Sequence, residues 1–275
     1  MEFLRSPSHD QMRHPERNRY VRLLARLGFL SKGAVYGLVG VLALMAAWGR
    51  GGKPTDGEGT LKFMGNGPFG EVLLVLVGVG LSGYALWRFI EALWDPCRVG
   101  TDGKGILKRI AYAASAVANV ALAITAFQLA FLGRSHSSKK TWISDLMAMP
   151  LGPWLVGAVG IAVGLAAFSQ FHKAYTVRFM NELLTNEMSA QERSWTEKLG
   201  KLGLYARGVV FLIIGVAITR AAINHSPGQA KGVAEALRDV GTSKSGPMLL
   251  TLVALGLVAY AVYMLSCMRY RKLVH

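Results

Sequence analysis

The stretch that decides the fold is RLGFLSKGAVYGLVG (Arg26–Gly40), because nearly the same stretch, KLGLYARGVVFLIIG, returns at Lys201–Gly215. Each copy is apolar and rich in glycine, with one cation inside it. From Leu27 to Trp48 the only charged residue is Lys32. A helix over these residues, rising ~1.5 Å per residue, crosses the ~30 Å hydrocarbon core of a bilayer. The first copy therefore predicts a transmembrane helix.

Further apolar blocks of similar length follow along the chain. The 275 residues are 52% hydrophobic and only 17% charged. Six helices that are apolar on every side would leave too few polar faces for a water-exposed surface. We therefore predict an all-α integral membrane protein with six transmembrane helices. The five further blocks are residues 70–94, 110–132, 151–171, 202–223 and 247–268.

The two copies of the opening stretch belong to an internal repeat. Five pairs of residues occupy the same positions in the two copies: Lys32 and Arg207, Gly28 and Gly203, Gly33 and Gly208, Tyr36 and Phe211, and Gly40 and Gly215. A weaker third copy, RIAYAASAVANVALA, starts at Arg109. There Ser115 stands at the place of the cation, Ala116 at that of the glycine and Asn119 at that of the aromatic residue. The second spans also correspond, since Tyr84-Ala85 matches Tyr260-Ala261.

The repeats predict the topology of the bundle. Each repeat holds two spans and returns the chain to the side from which it entered, so all copies run in the same direction. This predicts three parallel two-helix repeats around a pseudo-threefold axis along the membrane normal. The predicted segments are a basic N-terminal segment (1–21), repeat 1 (22–97), repeat 2 (98–175), a cytoplasmic amphipathic linker (176–200) and repeat 3 with a short basic tail (201–275).

The same stretches resemble a bacterial membrane family known as domain of unknown function 1206. The resemblance rests on the two blocks quoted above and on the closing AYAVYMLSCMRYRKL, and it covers residues 22–273. It implies a six-span protein of the bacterial inner membrane with three copies of one hairpin. It implies no known reaction, ligand or site residue.

Charge placement predicts the orientation in the membrane. Net charge is +15, and roughly two thirds of the 31 lysines and arginines lie before the first span, near the second-to-third and fourth-to-fifth connections, or after the last span. Because cations collect in cytoplasmic loops, we expect both termini in the cytoplasm.

No cleavage site with signal-peptide flanks follows the first block, so we expect insertion without processing. The cations also favour contact with anionic lipid headgroups on that side. They line the span ends and form no basic-aromatic surface, which argues against nucleic acid.

The glycines of the repeat predict close helix packing. Gly33, Gly37 and Gly40 share one helix face, and Gly208 with Gly215 repeats the outer pair. Helix backbones approach closely where side chains are missing. We expect the first spans of the repeats to meet at the centre of the bundle through these faces.

The polar residues within the spans are the candidate binding residues. Lys32 and Arg207 lie about one and a half turns inside the predicted cytoplasmic end. Such cations usually extend to the headgroups; the alternative is a cationic collar that points inward and attracts an anion or a lipid phosphate. Ser115 and Asn119 share a face of the third span, where they either form hydrogen bonds between helices or line a wet path. Arg88 is expected to pair with Glu91, three residues on.

The sequence contains no recognisable reaction centre. Its six histidines and two cysteines, Cys97 and Cys267, are scattered, and no metal, cofactor or catalytic motif is present. We therefore expect no enzyme activity, no cofactor and no metal. Two classes of function stay open: a passive pore or transporter for a small or anionic solute, and a non-transporting bundle that binds anionic lipid or holds partner proteins. Whether a second copy or another protein binds is also open.

Overall fold

The structure, a computed structural model, describes residues 19–50, 53–94, 100, 102–133, 146–226, 233–242 and 246–272. These residues are helical for most of their length. The α-helices in them are α1 (Arg19–Ala47), α2 (Gly57–Gly65), α3 (Gly70–Leu93), α4 (Gly103–Leu132), α5 (Gly152–Thr176), α6 (Ala190–Ile223), α7 (Val233–Thr242) and α8 (Gly246–Tyr270).

Six of these helices, α1, α3, α4, α5, α6 and α8, are long and apolar enough to cross a membrane. They match the six predicted blocks, which extend past a helix end by one residue at most, so the prediction of a six-span membrane protein is confirmed. α6 has 34 residues, which correspond to roughly 51 Å of helix. The stretch Ser189-Ala190-Gln191-Glu192 predicts a capping box at its start. The structure confirms it, because the backbone N–H of Glu192 donates to Ser189 Oγ at 3.2 Å and the N–H of Ser189 donates to Glu192 Oε2 at 2.9 Å.

The six long helices pack side by side in the order α4, α3, α1, α8, α6, α5. Each helix in this series packs along its length on the next, and these five contacts are the most extensive ones between helices within the described residues. α4 and α5 stand at its two ends, and in the part of the chain that the structure describes they do not pack along each other. The two spans of the middle repeat are therefore separated, whereas the two spans of each outer repeat are in contact.

A glycine closes the interface within each outer repeat. A Cβ atom on Gly28 of α1 would lie 2.5 Å from the backbone nitrogen of Tyr84 in α3. A Cβ atom on Gly203 of α6 would lie 2.6 Å from the Cα of Tyr260 in α8. No side chain fits at these distances, so both helix pairs require glycine at this place. The middle repeat has Ala111 there, and Ala111 is exposed. The extra methyl group gives a physical reason why α4 and α5 are not joined in the same way.

The glycine faces pack between repeats and do not meet at the centre, which corrects the expectation for the first spans. The face of Gly33, Gly37 and Gly40 packs on α8, where Ala261 and Val258 are its neighbours. The second face packs α6 on α5, with Gly208 against Phe171 and Gly215 against Gly164. In both cases the first span of one repeat packs on the second span of another, α1 of repeat 1 on α8 of repeat 3 and α6 of repeat 3 on α5 of repeat 2. Since the middle repeat is open, the pseudo-threefold arrangement stays a prediction.

The chain between α5 and α6 folds back on the end of α8. Val177 adopts a left-handed conformation (φ 56°), and 3-10 turns follow at Arg178–Glu182 and Thr185–Glu187. The backbone N–H of Leu184 donates to the carbonyl of Tyr270 at 2.7 Å, and that of Lys272 donates to the carbonyl of Glu182 at 3.0 Å. This places the Glu182 side chain at the end of the bundle where α1 begins and α8 ends, called the terminal end below.

Candidate functional site

Lys32 and Arg207 both point into the bundle, as in the second of the two alternatives that the sequence left open. Lys32 is 7% exposed, and its Nζ lies 4.1 Å from the centre of the Tyr84 ring. Arg207 is half-buried. Its Nη1 donates to the hydroxyl of Tyr260 at 2.6 Å, and its guanidinium lies 4.4 Å from the centre of that ring. Extension to the headgroups, the usual behaviour, is not seen at either residue.

The two cations are held in the same way because they occupy the same place in the repeat. Each is the sixth residue after the start of its copy, and each rests on the tyrosine that its own second span supplies. Tyr36, four residues after Lys32 on α1, contacts the second pair: its ring centre lies 5.0 Å from that of Tyr260, and the Arg207 guanidinium lies 5.2 Å from it. These five residues, Lys32, Tyr36, Tyr84, Arg207 and Tyr260, form the cation–tyrosine cluster.

A network of ion pairs continues from this cluster toward the terminal end. Arg88 donates from Nε to the Tyr84 hydroxyl at 2.8 Å and from Nη1 to Glu91 Oε2 at 2.7 Å. The predicted Arg88–Glu91 pair is thus confirmed. Glu91 has a second partner, because Arg271 Nη2 donates to its Oε1 at 3.2 Å. Arg271 Nη1 in turn donates to Glu182 Oε2. Arg88, Glu91, Glu182 and Arg271 form the ion-pair network.

Charge interactions keep Glu182 and Arg271 of this network ionised. Burial acts to raise the pKa of Glu182, but the cations Arg271, Lys173 and Arg88 lower it to about 2. Burial acts to lower the pKa of Arg271, but the carboxylates of Glu182 and Glu91 raise it well above its ordinary value.

The two groups together hold more positive than negative charge. Their cations are Lys32, Arg88, Arg207 and Arg271, and their carboxylates are Glu91 and Glu182. Among the described residues no ion pair links Lys32 or Arg207 to a carboxylate. Removing a cation from water costs several kcal/mol, and a desolvated cation–π contact returns about 2 kcal/mol. The tyrosine rings reduce that cost and leave the charge excess in place.

Two guanidinium groups also keep an unused donor. Arg207 Nε and Arg271 Nε are buried and have no hydrogen-bond partner within the described residues. A buried donor without a partner costs about 1–3 kcal/mol, more when charged. An acceptor-rich anion supplies what such donors lack. The chemistry that this arrangement can perform is therefore recognition of an anion.

Within the described residues, Ser115 and Asn119 of α4 form none of the hydrogen bonds between helices that the sequence favoured. Asn119 is buried, and its Nδ2 donates to the backbone carbonyl of Ser115 at 2.6 Å, within the same helix. Tyr112, less than one turn before Ser115, has its ring centre 5.0 Å from the Arg88 guanidinium. The polar face of α4 therefore begins beside the ion-pair network.

The sequence showed some of these residues and concealed others. Tyr84 and Tyr260 had been matched as repeated residues, but their contact with the repeated cations was not predicted. Arg271 and Glu182 could not be matched by the repeat, because they lie 89 residues apart and meet only through the turns after α5.

Cys267 is buried in the core, whereas Cys97 lies outside the described residues. In the described part of the chain no group of three His, Cys, Asp or Glu side chains could hold a metal ion.

The comparison with known proteins agrees with the repeat. The family described as Domain of Unknown Function (DUF1206) matches three times, at residues 27–95, 110–177 and 202–271. A protein of Bacillus subtilis (strain 168) described as "Uncharacterized protein YxxB" is 32% identical over 249 residues, which cover 90% of each chain. No solved structure matches. With three matched segments over most of its length and this relative, the chain belongs to the DUF1206 family of repeated membrane hairpins.

Proposed function

We propose that this membrane protein binds a phosphate-bearing anion at the cation–tyrosine cluster and carries out no chemical step on it. The single observation that carries the proposal is the placement of Lys32 and Arg207. Both are held inside the bundle by tyrosines, and neither has a carboxylate partner among the described residues. A bound anion would balance the charge excess that the protein leaves.

The side chains of the cluster suit a phosphate group. An arginine binds phosphate through several N–H donors, and a lysine binds it as a point charge. The hydroxyl of Tyr260 accepts a hydrogen bond from Arg207 and that of Tyr84 accepts one from Arg88. Each hydroxyl therefore keeps its own hydrogen to donate. The cluster offers charge and several donors around a small volume.

Inorganic phosphate tests the proposal in its simplest form. Phosphate binding to the purified chain in neutral detergent is measured by calorimetry for the wild type, Lys32→Met and Arg207→Met. Loss of one charged hydrogen-bond donor weakens binding about 10- to 100-fold. Lys201→Met is the matched control, since Lys201 lies on the same helix as Arg207 but pairs with Glu197 near the surface. Equal binding by all four proteins would contradict the proposal.

Passive transport is the second candidate function, and the middle repeat favours it. Ser115 and Asn119 give α4 a polar face, and this face belongs to the one repeat whose two spans are apart. Flux of phosphate or chloride into liposomes separates the candidates. Binding without flux supports the first. Flux that Lys32→Ala and Arg207→Ala abolish, with no loss in Lys201→Ala, supports transport.

We also propose that the protein resides in the bacterial cytoplasmic membrane with both termini in the cytoplasm and with anionic lipid as its neighbour there. The excess of cations at the terminal end supports this orientation. Alkaline phosphatase fused after residue 272 should be inactive, and the same enzyme inserted after residue 53 should be active. The reverse pattern would reject the orientation without touching the binding site.

A further inference from the structure

The short helix α2 packs into the core of the bundle with one of its sides. Leu61, at the middle of α2, is 0% exposed. It belongs to one core cluster with Val35 of α1, Leu81 of α3 and Ala123 of α4. These are residues from inside the three long helices, so α2 is not a loop helix that rests on the outer surface.

The contacts of Gly57, the first residue of α2, show how deep the helix reaches. A Cβ atom on Gly57 would lie 3.1 Å from Leu122 Cδ2 and 3.8 Å from Val35 Cγ1. Val35 lies twelve residues before the end of α1, and Leu122 lies ten residues before the end of α4, which correspond to ~18 Å and ~15 Å of helix. Both helices end opposite the terminal end, at what is called the loop end below. The first turn of α2 is therefore about half the thickness of the ~30 Å hydrocarbon core away from the loop end.

The other end of α2 lies at the loop end. A Cβ atom on Gly70, the first residue of α3, would clash with the carbonyl oxygen of Gly65, the last residue of α2. The nine residues of α2 rise ~13 Å, so the helix runs from the middle of the bundle back to the loop end. The chain between Ala47 and Gly57 is long enough to make the return, because ten extended residues span up to about 33 Å.

Repeat 3 contains the same arrangement in α7. Leu237 of α7 corresponds to Leu61 and is also 0% exposed. Its core cluster contains residues that correspond to Val35, Leu74 and Leu81 of the first cluster, namely Val210, Leu250 and Leu257. Because the arrangement occurs twice at matching residues, it belongs to the repeated hairpin and is not a peculiarity of one loop.

The deep end of α2 is acidic. Asp56 is its N-cap residue, and Asp56 Oδ1 accepts a hydrogen bond from the N–H of Gly59 at 2.9 Å. Glu58, in the first turn, is 8% exposed and pairs with Lys62 at 2.8 Å. Lys32 of the cation–tyrosine cluster lies only three residues before Val35, or ~4.5 Å along α1. The two carboxylates therefore lie near the depth at which an anion would bind.

We infer that α2 is a re-entrant helix, which enters the membrane from the loop end and holds Asp56 and Glu58 over the cation–tyrosine cluster as an acidic lid. α7 is the corresponding helix of repeat 3. The depth of α2 is independent of the proposed function, whereas the effect of the lid on anion binding rests on that function. Because like charges repel, the lid lowers the affinity of the cluster for an anion.

Disulfide cross-linking tests the depth of α2. The full chain in membranes, carrying Gly57→Cys with Val35→Cys or Gly57→Cys with Leu122→Cys, is oxidised with copper phenanthroline and analysed by mass spectrometry after digestion. The control pair is Gly57→Cys with Ala47→Cys, because Ala47 lies ~18 Å beyond Val35 and a disulfide spans at most about 7 Å between Cα atoms. Gly57→Cys alone controls for links to the native cysteines. At least one of the two deep pairs should link and the control pair should not. A link in the control pair, or none in either deep pair, would overturn the inference.

Asp56→Asn tests the lid. Asparagine is as good an N-cap as aspartate, so the variant removes the charge and keeps the helix. Its affinity for inorganic phosphate, measured by calorimetry in neutral detergent, should rise about 3- to 10-fold. Glu71→Gln is the matched control, since Glu71 lies in the first turn of α3 at the loop end, and it should bind phosphate like the wild type.

The outcomes separate this inference from the proposed function. If Asp56→Asn and the wild type bind phosphate equally well, the lid is wrong and the anion site stands. If the wild type binds no phosphate, the proposed function is wrong, and the cross-links alone decide whether α2 is re-entrant.

Discussion

The outer repeats and the middle repeat are built from the same hairpin but reach opposite results. In the outer repeats a glycine meets the backbone of a tyrosine, and a cation rests on the ring of that tyrosine. In the middle repeat the corresponding residues are Ala111, Ser115 and Phe168, and the two spans are apart. Close approach, cation and tyrosine are thus present together or absent together. They form one structural unit, in which the glycine brings the tyrosine near enough to hold the cation.

The contacts between repeats do not show this difference. The second span of each repeat packs on the first span of another repeat, with α3 on α4, α5 on α6 and α8 on α1. The middle repeat is therefore held by its neighbours and not by its own two spans. This gives the bundle one interlocked side, made of α1, α3, α6 and α8, and one open side. The predictions below test how much stability lies on the interlocked side.

The largest expected effect comes from the ion-pair network. Glu91→Gln removes the carboxylate that both Arg88 and Arg271 contact, and its side chain has no exposure. Breaking a buried pair so that a cation remains costs about 3–5 kcal/mol. Unfolding in mixed detergent micelles measures the loss. Glu197→Gln removes an exposed carboxylate that pairs with Lys201, and it should cost less than about 1 kcal/mol. Equal losses would show that the network is not part of the interlocked side.

The next largest effect compares one position in two repeats. Gly203→Val places a side chain where the Cα of Tyr260 lies, and it should lower the free energy of unfolding by about 3 kcal/mol. Ala111→Val, at the matching place of the middle repeat, should change it by less than about 0.5 kcal/mol. Gly164→Ala is a further control, because nothing lies near its added methyl group. Comparable losses of unfolding free energy for Gly203→Val and Ala111→Val would contradict the claim that only the outer repeats require a glycine at this position.

A smaller effect is expected from the tyrosine hydroxyl. Tyr260→Phe keeps the ring beneath Arg207 but removes the acceptor of its hydrogen bond, with a loss of about 2 kcal/mol. Tyr205→Phe, at a position that is 41% exposed, should be neutral. The same unfolding titration measures both. If Tyr260→Phe is neutral as well, the cation–π contact alone holds the arginine.

The smallest effect is a pH dependence from Glu182. Its pKa is lowered from 4.5 to about 2 in the folded chain, so its stabilising contribution is complete above about pH 4.5 and is lost as the pH falls toward about 2. The side chain is 35% exposed, and solvent screening limits the contribution to about 1 kcal/mol. Melting temperatures between about pH 5 and pH 2 should fall more steeply for the wild type than for Glu182→Gln. Parallel curves would exclude the ion pair with Arg271 as a source of stability.

The sequence predicted the features that depend on short stretches of chain. Length and hydropathy predicted six spans, and the repeated stretches at Arg26 and Lys201 predicted the family and the repeat. The capping box at Ser189 and the pairing of Arg88 with Glu91 also depend on residues within one turn. Each of these signals is local, so no knowledge of distant contacts was needed.

What the sequence could not predict depends on which helices become neighbours. The glycine faces were identified, but their partners are α8 and α5 and not each other. The inward direction of Lys32 and Arg207 follows from tyrosines more than 50 residues away along the chain. The open middle repeat had a visible sign in Ala111, yet its meaning required the 2.5 Å approach at Gly28.

The contact between Glu91 and Arg271 joins residues 180 positions apart and has a consequence for biogenesis. When α3 leaves the ribosome, Arg88 is the partner among the described residues that travels with Glu91, and Arg271 is synthesised 180 residues later. The carboxylate of Glu91 must therefore enter the bilayer with one of its two arginine partners. The second ion pair forms only after α8 has been synthesised, so Arg271 joins a bundle whose α3 is already inserted.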